Sequence, residues 1–116
     1  MIKIYHNPKC SKSRCGLDLL KASGKEYEVV NYLKEGFTAE ELKALLAKLH
    51  IAPIDLVRTK EAIWQELFAE KQLTDEEIID AMVQYPKLVE RPIVVNGNSA
   101  VIGRPTEKIE EIINKQ

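Results

Sequence analysis

Cys10 stands in the stretch His6-Asn7-Pro8-Lys9-Cys10-Ser11-Lys12-Ser13-Arg14, where a short apolar strand gives way to a helix. A thiol at that junction meets the free backbone N–H groups and the positive dipole end of the helix. Lys9, Lys12 and Arg14 add positive potential around it. These influences lower a thiol's pKa and raise the fraction of thiolate, the nucleophilic form. A buried, inert cysteine is the competing reading, but a polar, basic, Ser-rich loop is a poor core environment. Three arginines also stand where a helix surface explains them poorly: Arg58 in Leu56-Val57-Arg58-Thr59-Lys60, Arg91 beside Pro92, and Arg104 between Gly103 and Pro105. Each alone reads equally well as a solvated charge or a carboxylate's partner. Together they offer planar, bidentate donors to a tetrahedral oxyanion and stay charged at all relevant pH. A thiolate among arginines suits attack on an oxyanion.

The elements that must position these groups follow from periodicity. Ile2-Lys3-Ile4-Tyr5 alternates as a strand, Cys15 to Ala22 reads as helix closed by Ser23-Gly24, and Lys25 to Tyr32 alternates again. That β-α-β opening is expected to be parallel and right-handed, with Cys10 at the helix N-terminus. Thr38-Ala39-Glu40-Glu41 and Thr74-Asp75-Glu76-Glu77 match capping boxes. The first leads a Leu42, Leu45, Leu46, Leu49 stripe, and the second a helix through Ile78, Ile79, Met82 and Val83 that ends near Tyr85-Pro86. A shorter helix is expected from Glu61 to Glu70, with Trp64 and Phe68 in the core or on a patch. His50 is expected exposed or against the helix dipole.

Pro92-Ile93-Val94-Val95, Asn96-Gly97 and Ser99-Ala100-Val101-Ile102 read as a hairpin, followed by a helix carrying Ile109, Ile112 and Ile113. The order predicts an α/β fold: a thioredoxin-like mixed sheet, β-α-β then β-β-α, with a helical insertion over about 38–88 in a single domain, 1–116. In such a sheet the start of the Pro92 strand lies near the thiol end of the first helix. The loop after the hairpin, bearing Arg104, can approach the same edge.

Composition bounds the partners. The 116 residues are 45% hydrophobic and 30% charged with net charge −1, enough for one compact core and without the global charge that recommends nucleic acid or an anionic membrane. Two cysteines, no leading signal segment and no bilayer-length apolar run predict a reduced, cytoplasmic setting with no structural disulfide.

His6-Asn7-Pro8 with Cys10, Ser13-Arg14, Val57-Arg58, Glu90-Arg91-Pro92-Ile93-Val94 and Gly103-Arg104-Pro105 together resemble the glutaredoxin-linked arsenate reductase family (ArsC-type), over essentially the whole chain. The cysteine followed by all three arginines in order carries that resemblance. It implies that Cys10 attacks arsenate held by Arg58, Arg91 and Arg104, that glutathione as co-substrate attacks the resulting adduct, and that glutaredoxin supplies reducing equivalents. No bound cofactor or metal is implied. His6 is then expected beside the thiol, tuning it or packed against the loop. Asn7 and Ser13 would donate to the thiolate or orient the loop, and Lys9, Lys12 and Arg14 would contribute field.

Cys15 invites the idea of an internal resolving thiol. Five helical residues rotate by about 500°, putting it ~140° around from Cys10 with Cα atoms ~8 Å apart, beyond the reach of about 7 Å that a disulfide needs. A buried structural role is expected for it. Three other readings keep this fold: a regulator resembling the Spx-type RNA polymerase-binding factors, whose CxxC switch would require a cysteine where Ser13 stands; a general thiol oxidoreductase of the glutaredoxin kind, which would also favour a closer cysteine pair; and a paralogue acting on another oxyanion or thiol.

Overall fold

The computed structural model describes residues 2–104 and 106–114, which leaves Pro105 of the Gly103-Arg104-Pro105 motif outside the described residues. The chain forms two compact units, one of Met1–Glu35 and Arg91–Gln116 and the other of Gly36–Glu90.

The first unit is built on four short strands, β1 (Ile2–Tyr5), β2 (Tyr27–Val30), β3 (Ile93–Asn96) and β4 (Ser99–Ile102). They lie in the order β2-β1-β3-β4. β1 pairs parallel with β2, while β1–β3 and β3–β4 are antiparallel. This is the mixed, thioredoxin-like sheet that the alternation and the hairpin predict. Helix α1 (Ser11–Ser23) joins β1 to β2 and ends at Gly24 in the left-handed region, φ 73°, where a side chain would be strained. Helix α6 (Glu107–Ile113) packs with α1, so Ile2, Ile4, Leu20, Val94, Ile109, Ile112 and Ile113 close one core. Seven such side chains, each contributing roughly 1.5–3 kcal/mol on burial, fix where β1 ends and α1 begins.

Two differences from expectation are local. β2 stops at Val30 because the Asn31 carbonyl accepts the Lys34 and Glu35 N–H groups at 3.1 and 3.0 Å, opening a one-turn helix α2 (Tyr32–Glu35). In the hairpin Asn96 pairs with Ser99, so the turn residues are Gly97 and Asn98, one place later than read, with Gly97 at φ 62°.

The second unit holds α3 (Ala39–Leu49), α4 (Ala62–Leu67) and α5 (Asp75–Gln84), with 3-10 turns at Pro53–Leu56 and Pro86–Leu88. Both capping boxes form: the Thr38 and Thr74 hydroxyls accept the Glu41 and Glu77 N–H groups, and each Glu reaches back to the Thr N–H. Trp64 is buried and stacks at 5.4 Å on Phe68, which meets Tyr85 edge-on at 6.1 Å. His50 is the exposed C-cap of α3 at φ 57°. Among the described residues no helix is long and apolar enough to cross a membrane.

The near-neutral total conceals a division. The first unit carries eleven Lys/Arg against seven Asp/Glu, net +4, and the second six against eleven, net −5.

Candidate active site

Cys10 is the N-cap of α1 in extended backbone, φ −101° and ψ 122°, and its carbonyl accepts the Arg14 N–H at 3.0 Å. The loop leading to it is pinned at each step. The His6 N–H donates to the Val30 carbonyl at 2.8 Å, the Cys10 N–H to the Asn7 carbonyl at 3.0 Å, and the Lys9 N–H to Asn7 Oδ1 at 3.0 Å. Arg14 Nη1 donates to the Pro8 carbonyl at 3.0 Å. Arg14 is thus a clamp on the loop, where sequence reasoning gave it only a field.

Ser13 is fully buried. Its Oγ accepts the Asn7 N–H at 2.9 Å and lies 2.6 Å from His6 Nδ1. Asn7 and Ser13 therefore orient the loop. His6 is buried and its pKa lowered, first by desolvation; a hydrogen bond with the Ser13 backbone opposes this, while Arg14 and Lys21 assist it. A neutral His6 can accept the Ser13 hydroxyl proton at Nδ1 while that oxygen receives the Asn7 N–H. Ser13 in turn links His6 to the thiol, because its backbone N–H acts on Cys10.

The Cys10 thiol pKa is lowered from its ordinary value. Partial burial is the largest influence and raises it, but the Ser13 N–H, the Arg91 charge, the Lys12 N–H and an Arg91 side-chain hydrogen bond together outweigh burial. The sulfur closes no cap hydrogen bond of regular geometry. The helix N–H groups act on it as aligned dipoles, as expected at a helix N-terminus.

Arg91 precedes Pro92 through a cis peptide at the start of β3. Its carbonyl accepts Arg104 Nε at 2.8 Å, and Arg104 Nη2 then lies 3.9 Å from Cys10 Sγ. Gly103 lets this happen: a Cβ there would stand 2.6 Å from Ile109 Cδ1 and 3.0 Å from Pro92 Cγ. Gly16 on α1 faces the same two side chains, at 2.8 and 3.1 Å. The thiol end of α1, the start of β3 and the turn after β4 thus converge because two glycines remove the atoms that would part them. Gly103 was legible in the sequence as part of the Gly103-Arg104-Pro105 motif, but its packing role was not, because that depends on Ile109 and Pro92.

Cys10, His6, Asn7, Ser13, Arg14, Arg91 and Arg104 come together within the first unit. Arg58 belongs to the second, where it takes the role of a carboxylate's partner: Nη1 lies 3.1 Å from Glu61 Oε2 and donates to the Lys87 carbonyl at 3.3 Å, and Nε lies 3.9 Å from Glu90 Oε1. Cys15 overturns an expectation. It is exposed, because Ser13, Gly16 and Leu20 form the buried face of α1 and Cys15 falls with Ser11 and Asp18 on the opposite one. Among the described residues no group of three or more His, Cys, Asp or Glu is placed to hold a metal ion.

Known proteins are similar to this chain over nearly all of its length. The model of the ArsC family matches residues 5–112. The uncharacterized protein YfgD of Escherichia coli (strain K12) is 50% identical over 114 residues, 97% of this chain and 96% of that protein. Arsenate reductase ArsI2 of Synechocystis is 41% identical over 98% of this chain and 82% of its own length. The structure of arsenate reductase from Vibrio cholerae superposes with a TM-score of 0.91 at 44% identity, covering 96% of each chain.

Proposed function

The chain belongs to the ArsC family, and we propose that it is a cytoplasmic arsenate reductase using Cys10 as its single nucleophile, with glutathione as co-substrate and glutaredoxin as electron donor. The observation that carries this reading is Arg104, braced on the Arg91 carbonyl at 2.8 Å with its outer nitrogen 3.9 Å from the Cys10 sulfur. A cation fixed there neutralises an oxyanion at the point where a thiolate must approach it, which water would do less well. Relatives named arsenate reductase at 41% and 44% identity support arsenate as that oxyanion.

The chemistry divides among named groups. The Cys10 thiolate attacks arsenic while Arg91 and Arg104 take the charge of the arsenate oxygens, and the N-terminus of α1 adds its dipole. Overall, one arsenate and two thiols give one arsenite, one disulfide and one water, arsenic gaining two electrons. Cys10 is one of the thiols and glutathione the other. Arg58 is retained as a third oxyanion ligand on the family resemblance, and it would have to exchange Glu61 for the substrate. Charge-assisted hydrogen bonds are worth about 1.5–3 kcal/mol where desolvated, so Arg104→Ala is expected to lower kcat/KM for arsenate on the order of tenfold to a hundredfold.

The test is NADPH oxidation by purified protein with glutathione, glutaredoxin and glutathione reductase. It is expected to depend on arsenate and to vanish in Cys10→Ser. Two guanidinium groups recognise a tetrahedral anion by charge and shape, so a second reading keeps this site and exchanges the substrate; turnover with another oxyanion but not arsenate would select it. Ser13, committed to His6 and Asn7, does not favour the Spx-like regulator, which capture of RNA polymerase without arsenate-dependent turnover would restore.

A further inference from the structure

Between the loop after β1 and the turn after β2 lies a groove of about 270 Å³ lined by Asn7, Pro8, Lys9, Asn31, Leu33 and Lys34. The arginine pair does not line it. We propose that this groove seats the second thiol substrate, a small thiol bearing carboxylates, of which glutathione is the type. The inference rests on the arsenate reductase reading and assigns a place to a co-substrate that reading leaves unlocated.

Need, chemistry and position argue for it. Reduction of arsenic by two electrons consumes two thiols, and Cys15 lies on the opposite face of α1 from Ser13 and Gly16, so the second arrives from solution. The groove bears two exposed ammonium groups, Lys9 and Lys34, for carboxylates, within a unit of net charge +4. Pro8 and the 40% exposed Leu33 give it apolar walls. The Asn31 Oδ1 is buried with no hydrogen-bond donor among the described residues, an unmet acceptor of the kind that folded proteins rarely leave. A peptidic ligand brings N–H groups that reorientation of the Asn31 amide can meet. Lys9 is the neighbour of Cys10, about 3.8 Å away along the Cα trace. The groove is thus walled by the loop that carries the nucleophile, Asn7, Pro8 and Lys9 being the three residues before Cys10.

The experiment uses the full chain as Cys10→Ser with S-methylglutathione, a probe unable to exchange, followed by amide chemical shifts in a ¹H-¹⁵N titration. Saturable shifts clustered at Asn7, Lys9, Asn31, Leu33 and Lys34 are expected, lost in Lys34→Glu and in the groove-filling Leu33→Trp. In turnover, Lys34→Glu is expected to raise KM for glutathione roughly tenfold while leaving KM for arsenate in place. Shifts centred on Arg91 and Ile93, no binding at millimolar probe, or binding undiminished in both variants would overturn the groove assignment. Since binding is read without arsenate, a failure of the arsenate assay alone leaves that result standing and overturns only the reductase reading.

Discussion

At the scale of the residue, the site is a thiol lowered by named groups, and each can be removed. Arg91 acts on Cys10 as both charge and hydrogen-bond donor, so Arg91→Ala is expected to move the midpoint of Cys10 alkylation by iodoacetamide to higher pH. The Cys15→Ser background isolates the signal, and an unmoved midpoint would remove Arg91 from the site. His6 gives a second pH dependence with a definite sign. Its folded pKa lies below the ordinary 6.5, so in mildly acid solution the unfolded chain binds more protons than the folded one. Stability is then full above pH ~6.5 and falls as pH drops below it. Urea midpoints should decline from pH 7 to 5 in the native protein and decline less in His6→Gln. Both residues were legible in sequence as neighbours of the thiol. The coupling of His6 to the thiol through Ser13 was not, because a hydroxyl that reaches back seven residues to His6 depends on how the loop closes.

At the scale of the element, legibility tracked how local the determining physics is. The two capping boxes form as read because Thr and Glu three residues apart satisfy each other's N–H groups without tertiary help. The extra turn at Tyr32–Glu35 and the 3-10 turns carry no such signature. Cys15 was misplaced because its surroundings depend on which face of α1 meets α6 and the sheet, and Gly16 decides that. The glycines therefore offer the sharper prediction. Gly103→Ala puts a methyl 2.6 Å from Ile109 Cδ1 and 3.0 Å from Pro92 Cγ, and overpacking of this kind costs about 1–3 kcal/mol. A urea midpoint lowered accordingly is expected, with arsenate KM raised because Arg104 is the next residue. The double variant Gly103→Ala/Ile109→Val, which removes the Cδ1 atom, is expected to recover part of the KM; no recovery would mean that Arg104 is not positioned by this contact.

At the scale of the whole molecule, the formal charge of −1 misleads, because a net +4 belongs to the unit that carries Cys10, Arg91 and Arg104 and a net −5 to the other. The opposite charges stand on segments that alternate along the chain, so a total hides what a count by unit displays. An anionic substrate responds to the local field and not to the sum. Screening shortens the range of that field to about 10 Å at 0.1 M salt and ~3 Å at 1 M. Potassium chloride raised from about 50 mM to 0.5 M is therefore expected to lower kcat/KM for arsenate several-fold, with kcat nearly constant once substrate saturates. Lys12→Glu, on the exposed first turn of α1, should weaken both the rate at low salt and its salt dependence. Lys48→Glu, on α3 of the acidic unit, should leave the salt slope in place. Equal responses to the two substitutions would show that the total charge, and not its division, governs capture of the oxyanion.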